Sequence, residues 1–183
     1  MELVSPFVDI EMNEMIKLLP RQLNNDIYIN LKNNLIKKIE GKCNKHGFIK
    51  KIYKIVSYSS GLIHTENLDG SVIFNIKYLC SMCYPLLKTN IICKIDLITK
   101  ALIKGKNGPL IIIIKINNLN NNNFILENND IINIKTNEKL IQGDHVIVNI
   151  IAKNFYPKDE RIILLGNLYS IAKKKEIDNF FNI

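Results

Sequence analysis

The 183-residue chain has no tryptophan, three alanines, three histidines, eight glycines and five prolines. It also lacks any long apolar run. The longest, Leu110 to Ile114, ends at Lys115 and falls far short of the roughly 20 residues that span a bilayer as a helix. The start Met1-Glu2-Leu3 carries no basic-then-apolar signal pattern, so a soluble intracellular protein without a membrane partner is expected. No glycine-rich phosphate loop is present, because Gly105-Lys106-Asn107-Gly108 is a turn without P-loop spacing. Four cysteines in an intracellular chain read as reduced thiols and not as a disulfide framework.

Isoleucine, asparagine and lysine, residues with AT-rich codons, take up the composition that alanine and tryptophan leave, which reads as genomic base bias. Hydrophobic residues make up 47% and charged residues 23%, enough to bury a core and too apolar for a disordered tail. The net charge of +8 favours polyanionic partners. It is spread along the chain, with 11 basic against 8 acidic residues before Pro85 and 14 against 9 after it. No basic arm exists for sequence-specific DNA binding.

Val8, Ile10 and Met12 alternate with polar residues and predict an opening strand. Pro20 suits a first helical turn. Apolar residues then recur every four positions from Leu19 to Ile39, predicting one amphipathic helix from about Pro20 to Lys38, with Gly41 as its left-handed C-cap. Strands are expected at Phe48-Ile49 with Ile52 to Val56, at Gly61 to Thr65, and at Val72 to Tyr78 after an Asp69-Gly70 turn. Pro85 cannot continue a central strand and marks a boundary. Beyond it only short strands are expected: Asn90 to Ile98, Leu110 to Ile116, Phe124 to Ile134, Val146 to Ala152 and Arg161 to Leu168. The Asn-rich stretch Asn117 to Asn123 reads as a loop, and the β-branched run Ile111 to Ile114 as a strand buried on both faces. Fold class follows: an α+β domain over 1–84 (antiparallel sheet with one helix), an all-β five-stranded OB/S1 barrel over 85–172, and a tail over 173–183.

Candidate chemistry is sparse. Cys43 and His46 with Cys80 and Cys83 could form a tetrahedral zinc site. Against this, residues three apart on a strand face opposite ways, and knuckle glycines are absent, so buried thiols are the favoured reading and no metal or other cofactor is expected. Cys93 lies mid-strand and reads as core. His46, His64 and His145 are scattered, and Asp159-Glu160 beside Pro157 reads as a solvated turn. No catalytic residues and no enzymatic activity are expected. Lys94, Lys100, Lys104, Lys106 and Lys115 lie on and between the first expected barrel strands, on the usual ligand side of an OB fold. They are candidate RNA-binding residues, with a plain solvated face as the alternative.

The ordered set Glu40-Gly41-Lys42-Cys43, Gly47-Phe48-Ile49, Asp69-Gly70-Ser71, Phe74 to Tyr78 and Pro85 resembles the tip domain of the stalk subunit of multisubunit DNA-directed RNA polymerase, the eukaryotic seventh-subunit and archaeal E-subunit family. Gly108-Pro109 with the following apolar strand resembles that family's second barrel strand. Gly143-Asp144-His145-Val146-Ile147-Val148 resembles the fourth, and Leu164 to Leu168 the closing one. Cys80 to Pro85 and Pro109 to Ile112 look most like versions from large nucleocytoplasmic DNA viruses. The pattern departs where the family has a Gly-aromatic pair after the first barrel strand: here Ala101-Leu102 stands. Base stacking from the barrel strands is thereby weakened and phosphate pairing with lysine left as the main RNA contact.

The resemblance implies a non-catalytic accessory subunit of transcription. Gly41, Gly47, Phe48, Ile49, Gly61, Asp69 and Gly70 would dock on the polymerase, with Phe48 as apolar anchor or, alternatively, a core residue. Implied partners are the largest polymerase subunits, a small common subunit, a fourth-subunit-like stalk partner where one exists, and weakly bound nascent RNA. Implied locations are host cytoplasm and virion for a viral version, or nucleus for a cellular one. The tail's Phe180, Phe181 and Ile183 would dock on a partner or fold back on the barrel. The rival reading is a free-standing S1-type RNA-binding protein.

Overall fold

A computed structural model describes residues 2–63, 69–116, 119, 123–127, 130–134 and 137–181. His64, Thr65 and Ile183 lie outside these, as does most of the Asn-rich stretch. The chain forms two units. One comprises Phe7–Cys83 with Pro157–Glu160; the other comprises Met1–Pro6, Tyr84–Tyr156 and Arg161–Ile183.

The first unit is the expected α+β structure. Strands β1 (Phe7–Leu18), β2 (Phe48–Tyr58), β3 (Leu62–Ile63) and β4 (Val72–Cys83) form an antiparallel sheet in the order β1-β4-β2, with β3 also on β4. Helix α1 (Ile27–Ile39) covers one face, and its Leu31 and Leu35 are fully buried among Ile16, Leu18, Ile49, Ile76 and Tyr78. Strand periodicity selects this set, since Ile16, Leu18, Val72, Phe74, Ile76 and Tyr78 all fall on the parity facing the helix. Val8 and Ile10 share that parity but are 48% and 38% exposed, so the alternation that predicts β1 does not mark the buried end of it.

The single helix expected from Pro20 is broken. Pro20–Gln22 forms a 3-10 turn and α1 begins only at Ile27. The cause is Asn24, whose side-chain oxygen accepts from Asp26 N (3.0 Å) and Asn30 Nδ2 (3.0 Å), offering the backbone an alternative to helix. Gln22 and Asn34 join side chains (3.1 Å) and fix the turn to α1. The other end behaves as the sequence predicts: Gly41 has φ +76°, a conformation costly for residues with a Cβ.

The second unit contains a closed barrel of β5 (Asn90–Ile98), β6 (Leu102–Asn107), β7 (Leu110–Lys115), β10 (His145–Asn154) and β11 (Ile162–Ile171), ordered β10-β11-β7-β6-β5. β7 and β11 run parallel and the other described pairings are antiparallel. This is OB-type topology, with a first-to-fourth strand closure between β5 and β10.

Membership differs from expectation in one strand. Phe124 to Ile134 is not a barrel strand; it is a separate hairpin of β8 (Phe124–Glu127) and β9 (Asp130–Asn133). The missing strand is β6, whose Gly105-Lys106-Asn107 reads as a turn. The apolar strand after Gly108-Pro109 is therefore third in the barrel, not second. β7 buries one face completely, with Leu110, Ile112 and Ile114 at 0% exposure, while Ile111 and Ile113 are half-buried.

Candidate nucleic-acid interface

Residues opposed across an antiparallel ladder point to the same side of the sheet. On β5, Cys93 and Ile95 point into the barrel, so Lys94 points out. Its cross-strand partners are His145 on β10 and Lys106 on β6. The three form an outward row, His145–Lys94–Lys106, across neighbouring strands about 4.8 Å apart. On β6, Ile103, Gly105 and Asn107 point inward and Lys104 and Lys106 outward. The inward side explains the strand's odd composition. A Cβ at Gly105 would lie 2.6 Å from Cys93 Sγ, and Asn107 Nδ2 donates to Ile92 O at 2.7 Å.

The five candidate lysines thus divide. Lys94, Lys104 and Lys106 share the outer face of β5 and β6. Lys100 sits in the β5–β6 hairpin, where Thr99 Oγ1 lies 2.9 Å from Leu102 O, and Lys115 is opposite Leu102 at the same end. Sequence reasoning missed Asp96, which lies between the lysines. Its carboxylate is 2.9 Å from Lys106 Nζ and 3.9 Å from Lys104 Nζ. The hydrogen bond from Lys106, with the charges of both lysines, holds the Asp96 carboxyl below its ordinary range. The readable signal was a Lys94/Asp96 spacing of two facing a Lys104/Lys106 spacing of two.

Helix α2 (Lys174–Phe181) follows β11 and returns to this face. Ala172 N donates to His145 O at 2.8 Å, and Lys173 N to Glu176 Oε2 at 2.7 Å, which caps the helix. Phe180 is buried. Phe181 is 49% exposed, with its ring centroid 6.2 Å from that of His145.

The candidate docking residues fall at opposite ends of the first unit's sheet. Gly41, Gly47, Phe48 and Ile49 lie where β2 begins; Gly61, Asp69 and Gly70 lie past where it ends, about 35 Å away for an 11-residue strand. Phe48 and Ile49 are core residues at 9% and 0% exposure, and a Cβ at Gly47 would meet Cys83 O at 2.5 Å. Phe48 opposes Cys83 and Ile49 opposes Met82, so the two side chains leave opposite faces of the sheet; Ile49 joins the core beneath α1, and the burial of Phe48 favours the core reading of that residue over the anchor reading. The other end carries the Asp69 turn. Asp69 pairs with Lys17 at 2.6 Å and accepts from Ser71 N, which places its carboxyl at about 2, below the ordinary 3.8. Gly70 has φ +65°, and beside this turn Leu62 and Ile63 are 54% and 70% exposed.

All four cysteines are buried and none is in a disulfide; Cys80 Sγ donates to Ile10 O at 3.6 Å. Burial pushes the thiols up, to about 11 at Cys43 and Cys80 and about 12 at Cys83 and Cys93, with the Asp159 charge adding at Cys43. Cys80 shares the helix-facing parity of β4 while Cys83 has the opposite one, and His46 is exposed. Among the described residues no group of three or more His, Cys, Asp or Glu is placed to hold a metal ion.

Fold and surface together define a class: a chain that joins an α+β unit to an OB-type barrel with a basic outer face. No family model matches it. The chain is 31% identical over 178 residues to a protein of Acanthamoeba polyphaga mimivirus provisionally named as a DNA-directed RNA polymerase subunit, an alignment covering 97% of this chain and 89% of that one. The chain belongs to the family of that RNA polymerase subunit.

Proposed function

We propose that this subunit is the stalk type: a non-catalytic chain that docks on the polymerase core through its α+β unit and holds its barrel near the RNA exit path. The observation that carries this reading is the combination of an OB-topology barrel with an α+β unit, in one chain of an RNA polymerase subunit family. Docking is assigned to the end of the sheet where Gly61, Asp69 and Gly70 stand beside exposed Leu62 and Ile63. Burying such side chains at about 25 cal/mol per Å² supplies the affinity. The partners are the two largest subunits and a small common subunit, with a fourth-subunit-like stalk partner where one exists. Nascent RNA is held weakly through the barrel lysines. The chain works where its polymerase works: host cytoplasm and virion for a viral enzyme, nucleus for a cellular one.

Affinity purification of the tagged chain from its native source tests this. Both largest polymerase subunits should copurify, and Leu62→Asp with Ile63→Asp should reduce their recovery. A chain that emerges with RNA but without those subunits would be the free-standing RNA-binding protein instead.

A further inference from the structure

The outer positions of β5, β6 and β7 carry lysine, aspartate, leucine and isoleucine, and none of the three strands contains an aromatic residue. A barrel face of this composition pairs with phosphates but gives bases nothing to stack on. The aromatic surface comes from elsewhere in the same unit. Phe180 anchors α2 at 6% exposure, while the adjacent Phe181 keeps about half its surface open. Phe181 stands edge-on to both Phe180 (5.2 Å, 86°) and His145 (6.2 Å, 72°). His145 is the cross-strand neighbour of Lys94, and Lys94 of Lys106. An open phenyl ring, an imidazole and two ammonium groups therefore follow one another across the end of α2 and three barrel strands. Lys94 forms no ion pair among the described residues; Lys106 has Asp96 as an exchangeable anion.

We infer that Phe181 and His145 form a base-stacking platform beside the Lys94–Lys106 pair, a composite site for single-stranded nucleic acid. Stacking on a phenyl ring tolerates any base, and lysines at the neighbouring positions take the flanking phosphates, so the site reads strand character and not sequence. The site stands in place of the aromatics that β5, β6 and β7 lack. It rests on the barrel being the RNA-facing unit and is independent of which surface docks on the polymerase.

The test is fluorescence anisotropy at low salt on the full chain, with labelled oligouridylate, the matching DNA strand, and an abasic strand of equal length. The intact chain should bind strands with bases more tightly than the abasic one, and the tighter of RNA and DNA identifies the strand it takes. Phe181→Leu preserves apolar contact with Phe180 and removes the ring. It should weaken binding on the order of tenfold and abolish the preference for bases. Lys94→Glu should weaken all three probes and flatten the salt dependence. Equal binding of abasic and normal strands by the intact chain, or full affinity in Phe181→Leu, overturns the site; the latter result would mark Phe181 as a protein contact. Copurification with polymerase, scored on Phe181→Leu in parallel, separates the outcomes: persistence with unchanged strand binding sinks this site alone, whereas its absence from the intact chain bears on the stalk reading.

Discussion

The contact between Gly105 and Cys93 lies directly beneath the lysine row, which makes it a sensitive place to perturb the barrel. Gly105→Ala puts a methyl carbon 2.6 Å from Cys93 Sγ, about 1 Å inside the optimum for such atoms. Overpacking of this kind costs about 1–3 kcal/mol. The loss of glycine's freedom in the unfolded chain returns about 0.4–1 kcal/mol, so a net loss of about 1–2 kcal/mol is expected. Cys93→Ala removes a sulfur at 0% exposure and should cost about 1 kcal/mol, near the value of one buried methylene. The two changes together place the new methyl in the space the sulfur leaves. The double variant should therefore lie within about 1 kcal/mol of the parent, a coupling of about 1.5–2 kcal/mol. Equilibrium urea unfolding under reducing conditions measures this, with unchanged m-values as the condition for comparing midpoints. Additivity within about 0.5 kcal/mol, or a Gly105→Ala variant as stable as the parent, would refute the packing argument.

Other outcomes follow from the same geometry. The buried thiols have folded values near 11–12 against an ordinary 9.0, so their contribution to stability is complete below about pH 9 and is lost as pH rises through 11–12. Urea midpoints should fall across that window, and all four thiols should react with Ellman's reagent only as the protein unfolds. Asp96→Asn frees Lys104 and Lys106, so oligonucleotide affinity at low salt should rise several-fold and its salt dependence steepen; unchanged affinity would exclude these lysines from binding. Leu35→Ala, at a position with no solvent exposure, should destabilise the α+β unit by about 2–5 kcal/mol in urea unfolding. Ile63→Asp should leave stability within about 0.5 kcal/mol, because Ile63 is 70% exposed, while lowering recovery of polymerase subunits.

The elements legible in the sequence are those whose inward residues are apolar. β5, β7, β10 and β11 put isoleucine, valine or leucine at most inward positions, and β4 alternates cleanly from Val72 to Tyr78. β6 was illegible because two of its three inward residues are glycine and asparagine. One makes room for Cys93 and the other binds Ile92 O, demands set by a neighbouring strand that local periodicity cannot show. The missed helix boundary has a similar cause: apolar spacing continued through Leu23 while the Asn24 side chain diverted the backbone. Within the candidate site the lysines were legible one at a time. Their partners were not, since Asp96 and His145 acquire meaning only through register, and Phe181 through the return of α2.

Register also bears on why the lysine row exists. Lys94 and Lys106 stand directly opposite one another, an arrangement that destabilises a sheet by up to about 1 kcal/mol. Asp96 offsets part of that cost by accepting from Lys106 on the same face. A neutral residue at position 94 would remove the repulsion and keep the Lys106–Asp96 pair, so folding of the barrel does not account for Lys94. A ligand bringing its own negative charge does account for it, because phosphates would relieve the Lys94–Lys106 repulsion as Asp96 now does at one side only. On that argument Lys94→Gln should raise the stability of the free chain slightly while weakening its grip on oligonucleotides. A variant that lost both together would show instead that the pair serves the fold.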